Sequence, residues 1–259
     1  MFDILRDNWA LLVIGQYPHG PLGGIVVTIL LSLCALAIAF PLGILVALAR
    51  VSHFKALRAP ATALVYTVRG VPLLMVIFWV YFLVPVLTGY PVTGFVTMLC
   101  ALVIYDSAYL GEIIRGGMEA LPKGQTEASR ALGMSYMKTM RSVILPQALY
   151  NVVPSMVTQF VSTIKETSLG YIINVQELSF AADQINNRLM TKPFPVYLIT
   201  ALSYFALCYA LTQFANYLER RITRKRAGRA DKPRKGSRGP LVETASGEAD
   251  SLTLNAKEL

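Results

Sequence analysis

The sequence predicts an all-α membrane protein with five transmembrane helices, the N-terminus outside and the C-terminus in the cytoplasm. Hydrophobic residues make up 54% of the 259 and charged residues only 15%, against about 25% charged in a water-soluble domain. The mean hydropathy is +0.51. The apolar residues are also gathered into runs that suffice to cross a bilayer, which takes roughly 20 residues at about 1.5 Å each.

Five segments have that length: 24–49, 62–88, 94–115, 148–173 and 196–218. Lys and Arg are retained on the cytoplasmic side of short loops. Arg50, Lys55 and Arg58 follow the first segment; Arg115, Lys123, Arg130, Lys138 and Arg141 lie between the third and fourth; and Arg220, Arg221, Arg224, Lys225 and Arg226 follow the fifth. The other side holds Arg6, Arg188 and Lys192. This bias and an odd number of spans set the predicted orientation.

Segment 1–23 is too polar, and too interrupted by Pro18, Gly20 and Pro21, to be a sixth span; residues 9–14 are expected to lie in the interface. Residues 1–7 lack the basic region and apolar core of a cleavable signal, so the first span is expected to act as the insertion signal. Of the net charge of +9, most belongs to the tail, since eleven of the 24 Lys and Arg lie beyond Glu219. That placement argues against a nucleic-acid groove. The expected division is an outer, interfacial segment 1–23, a membrane domain 24–219 with a cytoplasmic loop 116–147, and a basic, disordered tail 220–259.

Cys34, Cys100 and Cys208 sit in apolar runs without C-x-x-C spacing and are expected to be small buried hydrophobes. His19 and His53 have no carboxylates at metal-ligand spacing and are read as surface residues, so no metal site is expected. Pro41, Pro72 and Pro154 interrupt apolar runs and should bend them. Gly43, Gly70, Gly94 and Gly170 are expected to allow close helix contact. Trp79, Tyr81, Tyr90 and Tyr171 are expected in packing or in interfacial belts.

The cytoplasmic loop carries the most specific signal. Pro122 stands at a helix start and Gly133 at a helix stop; Ser135 can cap a second helix running through Met137, Lys138 and Arg141 to Leu145-Pro146. The first helix aligns Ala128, Ala131 and Leu132, flanked by Glu127 and Arg130. Such a strip suits either a groove on a partner or the protein's own membrane domain.

Glu127-Ala128-Ser129, Gly133 six residues after Glu127, and Val143-Ile144-Leu145-Pro146 resemble the E-A-A…G…I-x-L-P loop of permease subunits of binding-protein-dependent ABC importers. Ser129 stands for the second Ala, and Val143 for the Ile. The resemblance covers about residues 22–220. Arg69-Gly70-Val71-Pro72-Leu73-Leu74, Tyr109-Leu110-Gly111-Glu112-Ile113-Ile114-Arg115-Gly116-Gly117 and Lys165-Glu166-Thr167-Ser168-Leu169 are similar to the polar amino-acid branch, the histidine/glutamine/glutamate-type permeases. The resemblance implies a cytoplasmic-membrane importer subunit in bacteria, translocating a polar L-amino acid such as glutamate, aspartate or glutamine by alternating access. Its implied partners are ABC ATPase subunits, a solute-binding protein and a second permease subunit, identical or related. It also implies that Glu127, Ala128, Ser129, Ala131, Leu132 and Gly133 dock on the ATPase. This chain lacks G-x-x-x-x-G-K-[ST], so ATP and magnesium are expected on the partner, with no cofactor and no catalysis here.

An ionisable group at mid-span costs roughly 2.5–3.5 kcal/mol unless it finds a partner or water. Asp106, Glu112, Lys165 and Glu166 are such groups, with Arg69 nearer a span end. Tyr105, Tyr109 and Glu112 share a helix face at i, i+4, i+7, while Lys165 and Glu166 point about 100° apart. One reading is a cavity for an amino-acid zwitterion, with Arg69 or Lys165 at its carboxylate and Asp106 or Glu166 at its amine. Tyr109 and Glu112 then line the path, and Thr167 and Ser168 add hydrogen bonds. The other reading is structural: Glu112 pairs with Arg115, Arg69 snorkels to the interface, and Lys165 bridges to a neighbouring helix.

Rival functions fare less well. A membrane enzyme would need H-E-x-x-H, G-x-S-x-G or a Cys/His set, none of which the sequence contains. An ion-coupled secondary carrier built on Asp106, Lys165 and Glu166 remains the alternative, though no internal repeat is visible. A channel or scaffold has no use for the 127–133 helix.

Overall fold

The computed structural model describes residues 2–190 and 193–230; the greater part of the expected tail, 231–259, lies outside them. The chain divides into two compact units, Met1–Glu219 and Arg220–Leu259. Among the described residues there is no strand, only two isolated bridges, Gly15 with Leu22 and Gly24 with Glu177.

Three helices are apolar and long enough to cross a membrane by themselves: α2 (Gly24–Arg50), α5 (Gly94–Glu119) and the Pro193–Tyr217 part of α11 (Pro193–Ala230). α11 is helical to Ala230, through the start of the segment expected to be disordered. Before α2 lies α1 (Phe2–Ile14), a 13-residue helix in the segment read as too polar and broken to be a sixth span. Its Ile4, Leu11 and Leu12 are buried against Leu178, Ile185 and Ile199. The turn residues that discouraged a span, Pro18 to Pro21, all fall after the helix ends.

The expected span 62–88 is two helices, α3 (Lys55–Gly70) and α4 (Leu73–Thr88), bent by 109° at the break. The cause is local. Proline's ring disfavours the helical region for the residue before it, and Val71, preceding Pro72, is extended at φ −112°, ψ 147°. Gly89 then ends α4 at φ 73°.

The fourth expected span, 148–173, is also broken. A π-helical turn (Met140–Ile144) leads into α8 (Leu145–Asn151), then α9 (Val153–Glu166) and a 3-10 turn (Thr167–Ile173). Pro154 at the first turn of α9 cannot donate to the preceding turn, so the ladder restarts there. The second loop helix therefore does not stop at Leu145-Pro146 as expected: α7 (Tyr136–Thr139) feeds through the π turn into α8, because Pro146 occupies the start of α8, where its missing N–H is harmless.

α2 lies along α5, and small residues set their approach. A Cβ on Gly43 would stand 2.9 Å from Leu110 Cβ and 3.2 Å from the Gly111 nitrogen. Gly70 meets nothing within 4 Å, so the expected close contact there is not made. One core cluster gathers Val27, Leu31, Ile77, Met98 and Leu102, and a second gathers Ala47, Leu110, Ile114, Ile144 and Ala148. Cys34 and Cys208 are half-buried, but Cys100 is exposed on α5, against expectation, because neighbouring helices leave that side of α5 uncovered.

After the 3-10 turn comes α10 (Leu178–Leu189), which the sequence reading did not separate from the loop. Glu177 caps it, accepting from Ser179 N at 2.8 Å and Phe180 N at 2.9 Å, and takes the Tyr204 hydroxyl at 2.6 Å. Leu178 N donates to Thr28 Oγ at 3.2 Å, so the start of α10 is tied to both α2 and α11. Burial pushes the Glu177 carboxyl up to about 7, against the opposing pull of the bonds from Ser179, Tyr204 and Phe180.

Candidate functional site

α5 carries a ladder of polar side chains through the apolar body. Asp106 is fully buried. It takes the Gln159 amide at 2.8 Å and the Thr163 hydroxyl at 3.0 Å, both from α9. Gln159 and Thr163 are four residues apart, so one face of α9 presents both to α5. Glu166 follows three residues later, and its Oε2 is buried without a hydrogen-bond partner. No cation lies within ion-pair distance of either carboxylate among the described residues.

Lys165, next to Glu166, is exposed and forms no ion pair with it. Thr167 is buried and spends its hydroxyl proton on Ile164 O at 2.7 Å. Ser168 is half-buried beside it. The structure thus brings Asp106 and Glu166 into one helix interface and leaves Lys165 outside it.

Next to Asp106 in the chain, Tyr105 donates its hydroxyl to that of Tyr109, one turn on, at 3.1 Å, as their shared face required. Arg69, from the end of α3, lies over the Tyr109 ring at 5.1 Å. Further along α5, about 9 Å from Asp106 by helical rise, Glu112 collects guanidiniums from three helices. Arg115 of α5 reaches it at 2.7 and 3.0 Å. Arg50 of α2 pairs with it too, and Arg69 of α3 stands at 3.8 Å. Arg115 also binds Glu119 at 2.5 Å. The Glu112–Arg115 pair of the structural reading is therefore present, but Arg69 pairs with Glu112 and Tyr109 and does not snorkel free.

The loop forms α6 (Lys123–Ala131), with Pro122 immediately before its first turn and Gly133 at φ 79° turning the chain into α7. Glu127, Ala128, Arg130, Ala131 and Leu132 are exposed, Leu132 at 84%. Ser129 differs: it is buried and donates to Gln125 O at 2.8 Å, so it faces the protein's own body. Ser135 caps α7 by accepting from Lys138 N. The Tyr136 hydroxyl donates to Val51 O at 2.6 Å, fastening α7 to the end of α2, and burial raises its phenol.

Sequence reasoning missed Gln159, Thr163 and Tyr136, and took Arg50 and Arg115 mainly as orientation signals. The recurrence of Gln159, Thr163 and Glu166 at i, i+4, i+7 within an apolar run was the available clue to the first two. Arg50 gave no such clue, since its partner lies 62 residues away. A cavity of about 750 Å³ between α2, α9 and α11 is lined by residues that include Leu33, Phe40, Phe160, Leu207 and Phe214, with no charged group among them. Its apolar lining has the character of a lipid-facing cleft.

Residues 39–224 match the family described as binding-protein-dependent transport system inner membrane component. A probable glutamine ABC transporter permease protein of Bacillus subtilis is 37% identical over 220 residues, covering 85% of this chain and 97% of that one. A glutamate/aspartate import permease protein of Escherichia coli is 31% identical over 207 residues, covering 77% and 92%. Among solved structures, an amino acid ABC transporter crystallised with histidines is 33% identical with a TM-score of 0.70, over 76% of this chain and 92% of that chain. A methionine ABC transporter, at 19% identity and a TM-score of 0.61, shares the fold.

Proposed function

The chain belongs to the family of binding-protein-dependent transport system inner membrane components, and from that premise we propose how it moves its substrate. It is the permease subunit of an amino-acid ABC importer, and ATP is hydrolysed by separate subunits. The family places it in a membrane with ATPase subunits and a substrate-binding protein as partners.

The proposed substrate is a polar L-amino acid, glutamine or an acidic amino acid being favoured by the relatives' names. The proposed topology counts five passes: the three continuous helices, the bent pair α3–α4, and the broken run α8–α9 with its 3-10 turn. The basic loops put the N-terminus outside the bacterial inner membrane and α6–α7 in the cytoplasm. A second permease subunit, the same or a related chain, completes the path.

The observation that carries the mechanism is the buried acidic interface. Asp106 is held by Gln159 and Thr163, and Glu166 keeps one buried oxygen unpartnered. A substrate ammonium supplies the missing cation there, and its carboxylate is drawn toward Arg69 along the Tyr105–Tyr109 ladder; Lys165, Thr167 and Ser168 border this path. Docking of α6 through Glu127, Ala128, Ala131, Leu132 and the Gly133 turn couples it to the ATPase, which carries ATP and magnesium. ATP-driven closure of that partner draws α6–α7 inward and opens the path outward; hydrolysis reverses the movement.

The test is co-purification in nanodiscs, with ATPase assayed on what is retained and Glu127→Lys as control. A stoichiometric ATPase that is lost with the charge reversal is expected. An intact protein that drives uptake without any ATPase would overturn the reading in favour of an ion-coupled carrier.

A further inference from the structure

Glu112 is the only carboxylate among the described residues that gathers arginines from three helices. The partners are unequal. The Arg50 side chain is 5% exposed and Arg115 is bidentate on the same helix, whereas Arg69 is 38% exposed and stands at 3.8 Å. An exposed, longer pair is the weakest of a set, being screened by solvent and salt. Arg69 also has a second perch, the Tyr109 ring, one turn closer to Asp106 on the same face of α5.

The covalent setting of Arg69 matches this. It occupies the last turn of α3, next to a joint where the chain bends by 109° and where Gly70 meets nothing within 4 Å. The helix bearing the loosest arm of the cluster thus ends at a glycine with open space beside it, while Val71 and Leu73 on the far side of the joint are held in the core. The other arms abut the loop that faces the cytoplasm in the proposed topology. Val51, next to Arg50, accepts from Tyr136 of α7, and Glu119, paired with Arg115, is the last residue of α5 before α6 begins at Lys123.

We propose that Glu112 is a positioning residue of the transport cycle, an ion-pair latch holding the ends of α2, α3 and α5 together, with Arg69 the arm that releases when the path opens toward the cytoplasm. The proposal rests on the reading that α6–α7 receives the ATPase. When Arg69 lets go of Glu112 it keeps the Tyr109 ring it already lies over, so its charge is not stripped of partners: a guanidinium over an aromatic face retains electrostatic attraction. Arg50 and Arg115 stay paired and keep the loop registered to α2 and α5. Transport then depends on the charge at position 69 for coupling as well as for any contact with substrate.

The experiment reconstitutes the complete importer with its ATPase and binding protein and compares wild type, Arg69→Gln and Arg69→Lys. ATPase is measured with and without loaded binding protein, and uptake is measured against substrate concentration. Arg69→Gln is expected to raise ATPase without binding protein by roughly two- to fivefold, the range one exposed pair sustains, and to lower uptake per ATP. Arg69→Lys restores coupling, since a 3.8 Å contact needs charge more than fork geometry. Glu112→Gln, if it folds with its arginines unopposed, behaves as Arg69→Gln does. The latch is overturned if Arg69→Gln changes only the KM for uptake with a wild-type ATPase ratio, or if Arg69→Lys is as uncoupled as Arg69→Gln. Failure of the docking reading shows separately, as a wild-type complex that retains no ATPase.

Discussion

Gln159 donates its side-chain amide to the Asp106 carboxylate at 2.8 Å, across the interface of α9 and α5, where both residues are buried. Hydrogen bonds to a charged group contribute about 1.5–3 kcal/mol each, so the pair fixes how the two helices face each other as well as the charge between them.

Asp106→Asn keeps the shape of that contact and removes its charge. Uptake by the reconstituted importer is expected to fall by about tenfold or more, the equivalent of one charged hydrogen bond, while the protein stays folded in detergent. Gln159→Leu, which leaves Asp106 with Thr163 as its remaining donor, should lower thermal stability as well. Normal uptake by Asp106→Asn would remove Asp106 from the substrate path.

Gly43 and Gly70 give a matched pair for packing. Gly43→Val places its branches against Leu110 and the Gly111 backbone, and overpacking of this kind costs about 1–3 kcal/mol. Gly70→Ala meets nothing and should leave the melting temperature unchanged or raise it slightly. Circular-dichroism melts in detergent separate the two.

Gly133 adopts φ 79°, a conformation that strains a side chain by about 1–3 kcal/mol, most of all a β-branched one. Gly133→Val is expected to leave the membrane helices intact by circular dichroism and to abolish co-purification of the ATPase. Uptake at the wild-type rate in this variant would separate the turn from coupling.

Glu177 gives the pH dependence. Its folded-state pKa of about 7 lies above the 4.5 of an unperturbed glutamate, so the folded state holds the proton more tightly than the unfolded chain does. Its contribution is complete below the unfolded value and fades as pH rises through 7, amounting to about 3 kcal/mol over that window at 1.36 kcal/mol per unit. Thermal stability should therefore decline between pH 5 and about 7.5 in wild type, and the decline should be smaller in Glu177→Gln, which stays neutral and still accepts at the α10 cap.

Legibility followed the range of the interaction. The continuous runs in α2 and α5 are visible in sequence because their apolar residues extend unbroken over a bilayer's thickness, and α2 continues as one helix through Pro41. The breaks at Pro72 and Pro154 were readable as bends, but the 109° angle depends on what α4 packs against, and neighbouring residues do not encode that. α1 and α10 were missed because each buries only one narrow face, on the other, in a patch assembled from residues far apart in the chain. In the site, the Tyr105–Tyr109–Glu112 face followed from helical spacing. The partners of Asp106 and Glu112 did not, because Gln159 and Arg50 lie 53 and 62 residues away. The exposed strip of α6 came from end signals and short-range periodicity, which act within a turn or two.

The break between α3 and α4 bears on how the protein is made. α4 has 16 residues, which rise about 24 Å, short of the roughly 30 Å hydrocarbon core. α3 before it carries Lys55, Arg58 and Arg69. Taken together the two helices are long and apolar enough for one pass, but α4 by itself falls short of the hydrocarbon thickness. Its seat is formed by Val76 and Ile77, which pack into the cluster with Met98 and Leu102 of α5. α4 thus takes part of its seat from a helix that follows it in the chain, so its final packing is complete only once α5 has been made.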